Sequence, residues 1–280
     1  MSRQRADQKA GREAGPRRFR ATVEYDGTEF AGFQIQTNAR TVQGELESAL
    51  ATLSGGERRP VDGAGRTDAG VHASGQVIAF TYAGDLSTAE LTRALNGLLP
   101  PDVAVRDVRR ASREFHPRYA ARYREYRYTV WNGPRSPLRE RTALGVRVPL
   151  DTDAMARAAS VFEGRRDFSA FGSADRKPVR TVYSVRVRRV GRLVTIDVRA
   201  DAFLRGMVRR MVAALLEVGR GQLNERQLAA ALAARAAALD GAAAPAKGLT
   251  LRRVAIGRRA ARTTEKTKSD EREDPDDQGD

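Results

Sequence analysis

Gly63-Ala64-Gly65-Arg66-Thr67-Asp68-Ala69-Gly70-Val71-His72-Ala73-Ser74-Gly75-Gln76 is the stretch on which the reading of this chain turns. It sets one carboxylate, Asp68, two residues from Arg66 in a turn with glycines on both sides. Glycine reaches backbone angles that other residues avoid, so such a loop is tight and lets a ligand approach the backbone. The run Gln76-Val77-Ile78-Ala79-Phe80 follows at once and reads as a strand, a rigid element able to hold the loop. Taken alone, Arg-Thr-Asp is most simply a turn held by its Asp side chain. Its surroundings decide whether it is more.

Around this loop the pattern alternates. Phe19–Tyr25 reads as a strand, and Val42, Leu46, Ala49, Leu50 and Leu53 fall at helical spacing. Arg59–Asp62 and Gln76–Tyr82 read as strands, Leu86–Leu99 as a helix stopped by Pro100-Pro101, and Val103–Val108 as a strand. The order β-α-β-β-α-β is a split βαβ arrangement. The second half repeats the theme with more decoration. It has a long strand over Arg122–Trp131 and a helix over Asp151–Phe162 with Asp151 as N-cap. A hairpin, Arg180–Val190 and Arg192–Ala200, turns at Gly191. A helix over Leu204–Val218 is closed by Gly219 as a C′ glycine, an Ala-rich helix covers Gln222–Leu239, and Leu249–Ile256 is a last strand. These patterns predict an α+β protein of two split-βαβ (ferredoxin/RRM-like) domains, at 18–110 and 111–257, between disordered tails at 1–17 and 258–280. No internal repeat is visible in the sequence itself.

The chain has 280 residues, enough for two domains, and a formal net charge of +15. Nearly all the cation is arginine, which forms bidentate phosphate contacts and stacks on bases. A genome that encodes arginine by default gives the same composition, and charge alone does not decide between the two. No cysteine is present, so disulfides and thiolate metal sites are excluded. The two histidines, His72 and His116, sit in different motifs, which argues against a histidine-rich metal site. No apolar stretch approaches the ~20 residues that span a bilayer, and the N-terminus lacks an apolar signal region. A soluble, cytoplasmic protein without membrane contact, metal or cofactor is expected.

The Gly63–Gln76 stretch resembles the signature of the tRNA pseudouridine synthase A family. Other matches follow in order over roughly residues 19 to 256: Tyr25-Asp26-Gly27-Thr28 with Phe33-Gln34, Arg40-Thr41-Val42-Gln43, Leu95-Asn96, Phe115-His116, Tyr126-Arg127-Tyr128, Asp167-Phe168-Ser169-Ala170-Phe171, Phe203 with Met207-Val208-Arg209, and Ala246-Lys247-Gly248-Leu249. The resemblance implies that the two antiparallel sheets join side by side around a central basic cleft. It also implies an isomerase that converts uridine to pseudouridine at positions 38, 39 and 40 of the tRNA anticodon stem-loop. A homodimer, which would let one tRNA contact both subunits, is expected with it.

The same resemblance makes Asp68 the catalytic residue and Arg209 its ion-pair partner. It stacks Tyr126 on the target uracil and sends Arg66 into the gap left by the flipped uridine. Arg205 and Gln34 are carried as further substrate contacts. Read without the resemblance, Arg205 and Arg209 are one turn apart on a solvated helix face. Tyr126 and Tyr128 then pack a strand's core face, Arg66 makes a phosphate or turn contact, and both histidines are structural. Three positions depart from the family pattern: Asp201 where Asn is expected, Ile35 where Arg is frequent and Phe33 where Trp is. The first puts a contact behind the site in doubt; the other two touch substrate contacts more than the reaction. Two other classes compete. One is an inert RNA-binding protein on the same fold, against which Asp68, Arg209 and Tyr126 together argue. The other is a dinucleotide-dependent oxidoreductase, suggested by Gly63-Ala64-Gly65 but lacking the third glycine and the right element order.

Overall fold

Residues 15–173, 177–234 and 243–257 are described by the structure, a computed structural model. The two expected tails fall almost wholly outside these residues, as does the end of the Ala-rich helix at 235–239. Ten strands lie within them: β1 (Arg17–Tyr25), β2 (Asp62–Gly63), β3 (His72–Tyr82), β4 (Val103–Arg110), β5 (Ala121–Asn132), β6 (Leu144–Val146), β7 (Gly164–Asp167), β8 (Val179–Val190), β9 (Leu193–Ala200) and β10 (Leu249–Ile256). The helices are α1 (Val42–Leu53), α2 (Thr88–Leu98), α3 (Pro117–Ala120), α4 (Thr152–Ala159), α5 (Met207–Gly219) and α6 (Glu225–Ala234). Among the described residues no helix is long and apolar enough to cross a membrane.

All the strands belong to one sheet, ordered β4-β1-β3-β10-β5-β9-β8-β7, with β2 beside β3 and β6 beside β5. The split βαβ order of the first half is present as read, and each half of the sheet is antiparallel along this path. The halves meet where β10 runs parallel to β3, with Thr250 opposite His72 and Leu251 opposite Ala73. On its other side β10 is antiparallel to β5, with Leu251 opposite Tyr126. The last strand thereby holds the start of β3 against the middle of β5. Its Leu251 is fully buried, and one apolar core runs through both halves.

Local chemistry explains the elements. Thr41 caps α1 by accepting from Gly44, and Ser87 with Glu90 forms a capping box on α2. Asp151 caps α4, as expected. Met207, Val208, Met211, Val212 and Leu215 line the buried side of α5, and burial of such side chains is worth about 1.5–3 kcal/mol each. Several family motifs have plain structural jobs. Arg40 clamps Asp102 with bonds of 2.7 and 2.9 Å, and the Asn96 amide ties α2 to β4 through both backbone groups of Val105. Phe168 and Phe171 are buried, Phe171 standing edge-on to Phe162 at 5.1 Å.

The structure corrects some expectations. Of Arg59–Asp62 only Asp62 is in a strand, where it and Gly63 pair with Ala79 and Ile78 of β3, because Val61 instead donates its N–H to the buried Glu47 carboxylate. Strand β3 begins at His72, not Gln76, since β10 supplies its partner there. Arg17 already belongs to β1. The left-handed glycine after α5 is Gly221, at φ +74°; Gly219 is helical, and a methyl group there would meet the Met155 sulfur at 2.6 Å. Helix α5 starts at Met207 after Gly206 at φ +73°, so Arg205 precedes the helix and shares no helical face with Arg209.

Candidate active site

The loop from Ala64 to Val71 is fixed by its backbone. Ala64 N–H donates to Val77 O, Phe33 N–H to Thr67 O and Val71 N–H to Asp68 O. The Gln76 amide, fully buried, donates to Gly65 O at 2.8 Å. The Thr67 hydroxyl bonds the Tyr25 phenol at 2.8 Å. Burial pushes that phenol well above its usual pKa, so it stays protonated. Gly32, at φ +109°, lies where a Cβ would stand 2.8 Å from Thr67 O, so only glycine lets the two loops approach. His72 accepts from Gly27 N–H at Nδ1, and its Nε2 contacts the carbonyls of Arg141 and Lys247 at 2.8 and 3.1 Å. His72 is a structural clamp, as read. With the backbone held, the side chains of Arg66 and Asp68 are the charged groups presented outward, Arg66 exposed and Asp68 half-buried.

From the second half, Arg124 and Arg205 contact this loop. Tyr126 on β5 is buried, with the Phe203 ring edge-on at 5.2 Å. Burial pushes its phenol up to about 12; Arg124 opposes this and the Asp68 charge adds to it. The Tyr126 hydroxyl makes no hydrogen bond among the described residues, unlike that of Tyr128, which donates to Pro245 O at 2.8 Å deep in the core. Arg205 extends toward the carboxylate, its Nε 3.6 Å from Asp68 Oδ1, with its side chain 81% exposed.

Arg209 is placed differently from the pairing implied above. Its Nε donates to Ala244 O at 2.6 Å, and Ala244 N–H returns a bond to Arg209 O. Among the described residues its guanidinium forms no ion pair with Asp68; the contact within 4 Å comes from Arg205. Gln34 is exposed beyond the loop and makes no hydrogen bond to the described residues. Phe33 is buried, against the expectation that its change touches substrate. A Cβ on Gly63 would meet its ring at 2.5 Å, and Tyr25 lies 6.5 Å away. Asp201 accepts from Thr181 N–H and Ala202 N–H through Oδ1, bonds an asparagine oxygen would make equally, so this departure is neutral.

Sequence reading missed Arg124. Its guanidinium donates to Asp201 O at 3.0 Å and to Ala64 O, pinning the Asp68 loop to the second half of the chain. The arginine alternates with Tyr123 and Glu125 on β5, which would have suggested a solvated strand face. Phe203, noted only as a motif residue, packs edge-on against Tyr126, and Gln76 is the buried anchor of the loop.

A family model for tRNA pseudouridine synthase matches residues 21–120 and 158–255. The chain belongs to the tRNA pseudouridine synthase A family. It is 44% identical over 239 residues to the tRNA pseudouridine synthase A of Brevibacillus brevis, covering 84% of this chain and 98% of that protein. Identity to the Pelobacter propionicus tRNA pseudouridine synthase A is 43% over 239 residues, with the same coverages. Its Myxococcus xanthus counterpart is 44% identical over 242 residues, 85% of this chain and 91% of that protein. For a pseudouridine synthase, the geometry supplies a fixed, half-buried carboxylate and the exposed guanidinia of Arg66 and Arg205.

Proposed function

We propose that this protein is the isomerase that converts uridine to pseudouridine at positions 38, 39 and 40 of the tRNA anticodon stem-loop, acting as a cytoplasmic homodimer. The observation that carries the chemistry is the fixed loop that presents Asp68 half-buried, with Arg205 Nε 3.6 Å from its carboxylate. The reaction breaks N1–C1′, turns the base, joins C5 to C1′ and releases the C5 proton. No electrons or phosphate are transferred, so no redox or nucleotide cofactor takes part.

A single carboxylate can start it as nucleophile or base. Attack on C1′, addition at C6 and proton removal from C2′ all begin at Asp68. The uridine must leave the stack, because C1′ and C5 are otherwise inaccessible. Tyr126 stacks on the extruded uracil, an interaction worth ~1–3 kcal/mol. Arg66 fills the vacated space in the stem, and Arg205 and Gln34 contact the RNA at the rim. Arg205 steers the carboxylate in the free protein, and Arg209, half-buried on α5, holds Ala244 O. The test is Asp68→Asn. The folded variant should bind tRNA and make no detectable pseudouridine, and normal turnover would overturn the assignment.

A further inference from the structure

A second aromatic and basic site lies away from Asp68. A pocket of about 270 Å³ opens where β5 runs into the loop before β6, and Trp131, Arg135, Arg139, Arg147 and Lys247 line it. That volume is just below the usual range for small-ligand sites of ~300–1,000 Å³ and suits one nucleotide better than a length of strand. The indole N–H of Trp131 donates to Pro134 O at 2.7 Å, which fixes the ring. The Arg139 guanidinium stands 5.9 Å from the ring centroid. Lys247 is neutralised by Glu140, whose carboxyl it holds below the usual range. Arg135, Arg139 and Arg147 are exposed and form no ion pair among the described residues. The Arg139 guanidinium lies against a held aromatic ring, and Arg135 and Arg147 line the same pocket. Arginine forks match phosphate, and a flat ring beside them matches a base.

The place of this pocket in the fold adds weight. Its Lys247 sits in the turn Ala246–Gly248, whose other side abuts the catalytic loop. The Lys247 carbonyl contacts His72 Nε2, and a Cβ on Gly70 would lie 3.2 Å from that of Ala246. No residue lining the pocket belongs to the Asp68 site.

We propose that this pocket binds a second nucleotide by its phosphate and base, in addition to the uridine taken at Asp68. The nucleotide is either one of the bound tRNA or a free mononucleotide. The first source rests on the tRNA-modifying reading above; the pocket chemistry does not.

The chain has one tryptophan, so its fluorescence reports on this pocket. The full-length protein is titrated with tRNA and, separately, with uridine 5′-monophosphate. A saturable change in Trp131 emission is expected. A change with the mononucleotide identifies a free-nucleotide site; a change with tRNA alone identifies a nucleotide of the substrate. The paired substitution Arg135→Ala/Arg147→Ala should abolish the change. If tRNA is the source, it should also lower the slope of log affinity against log salt by about 1 to 2. Both arginines are exposed and unpaired, so the melting temperature should stay at the wild-type value. No emission change with either ligand, or a change that persists in the double variant, overturns the proposal. Asp68→Asn should keep the Trp131 signal, so failure of the active-site assignment is read separately.

Discussion

The two segments that meet at Asp68 are built in opposite ways. The Ala64–Val71 loop has its backbone bonded to Phe33, Val77, Gln76 and Arg124, and its Thr67 hydroxyl closed on Tyr25. The Phe203–Arg205 segment leads into a left-handed glycine with no side-chain cap on α5; Arg205 O accepts from Ser173 N–H, but the Arg205 side chain is 81% exposed with a single 3.6 Å ion-pair contact. One side of the site is preorganised; the other is a long cation free to reorient. A carboxylate that must act at a fixed atom gains from rigidity, because small misplacements cost rate steeply. A cation that meets a phosphate backbone gains little from it, since such contacts position the RNA more loosely.

This contrast is sharpest at Asp68→Asn, where the largest effect is expected. The amide fits the same space but is neither nucleophile nor base. Turnover should fall by at least the ~10²–10⁴-fold that a positioned acid–base group supplies, and tritium release from C5-labelled uridine should stop. Affinity for tRNA in a filter-binding assay should stay near wild type.

The next effect tests the anchors. Arg124→Ala removes the link from Ala64 O to the second half and should lower kcat by roughly 10²-fold, with a much smaller change in KM. An equal loss in tRNA affinity would mean that Arg124 contacts RNA and does not hold the loop.

Tyr126 separates ring from hydroxyl. Tyr126→Phe should bind and turn over close to wild type in the chemical step, because the hydroxyl has no hydrogen bond among the described residues. Tyr126→Ala should lose ~1–3 kcal/mol of stacking and some stability, so single-turnover rates of the folded protein at low temperature are the measurement that counts. Normal turnover by folded Tyr126→Ala would remove the ring from the site.

The two arginines should then part company. Arg209→Ala deletes the bond to Ala244 O and leaves that carbonyl without it, which should cost about 1–3 kcal/mol in denaturant unfolding. Arg205→Ala should leave unfolding unchanged and weaken tRNA binding in a salt-dependent way. Equal destabilisation by both would erase the difference between the two sides of the site.

The smallest effect is on alkaline stability. Tyr25, Tyr126 and Tyr128 all have pKa values raised by burial, Tyr126 to about 12. In the unfolded chain a tyrosine titrates near 10. The stability these neutral phenols contribute is therefore complete below about pH 10 and is lost as pH rises toward 12. Tyr126→Phe should flatten that loss in unfolding free energy measured across this range.

What the sequence alone determined is everything that local chemistry dictates. The glycine-bounded turn around Asp68, the alternating strands and the capped helices follow from residue types at fixed spacing. So does the structural character of His72, and the family could be read from motifs in order. Tertiary structure alone decided which distant groups meet. That β10 runs parallel to β3 on one side and antiparallel to β5 on the other, and so ties the strand after the Asp68 loop to the strand of Tyr126, depends on strand pairing across the whole chain and has no local signal. The same holds for Arg124, whose pattern on β5 is that of a solvated residue until Ala64 and Asp201 close on it. It holds too for Arg205 and Arg209, which helical periodicity placed together. Gly206, at φ +73°, turns the backbone just before the helix begins and sends one to Asp68 and the other to Ala244, because the backbone turn overrides the periodicity from which side-chain direction is inferred.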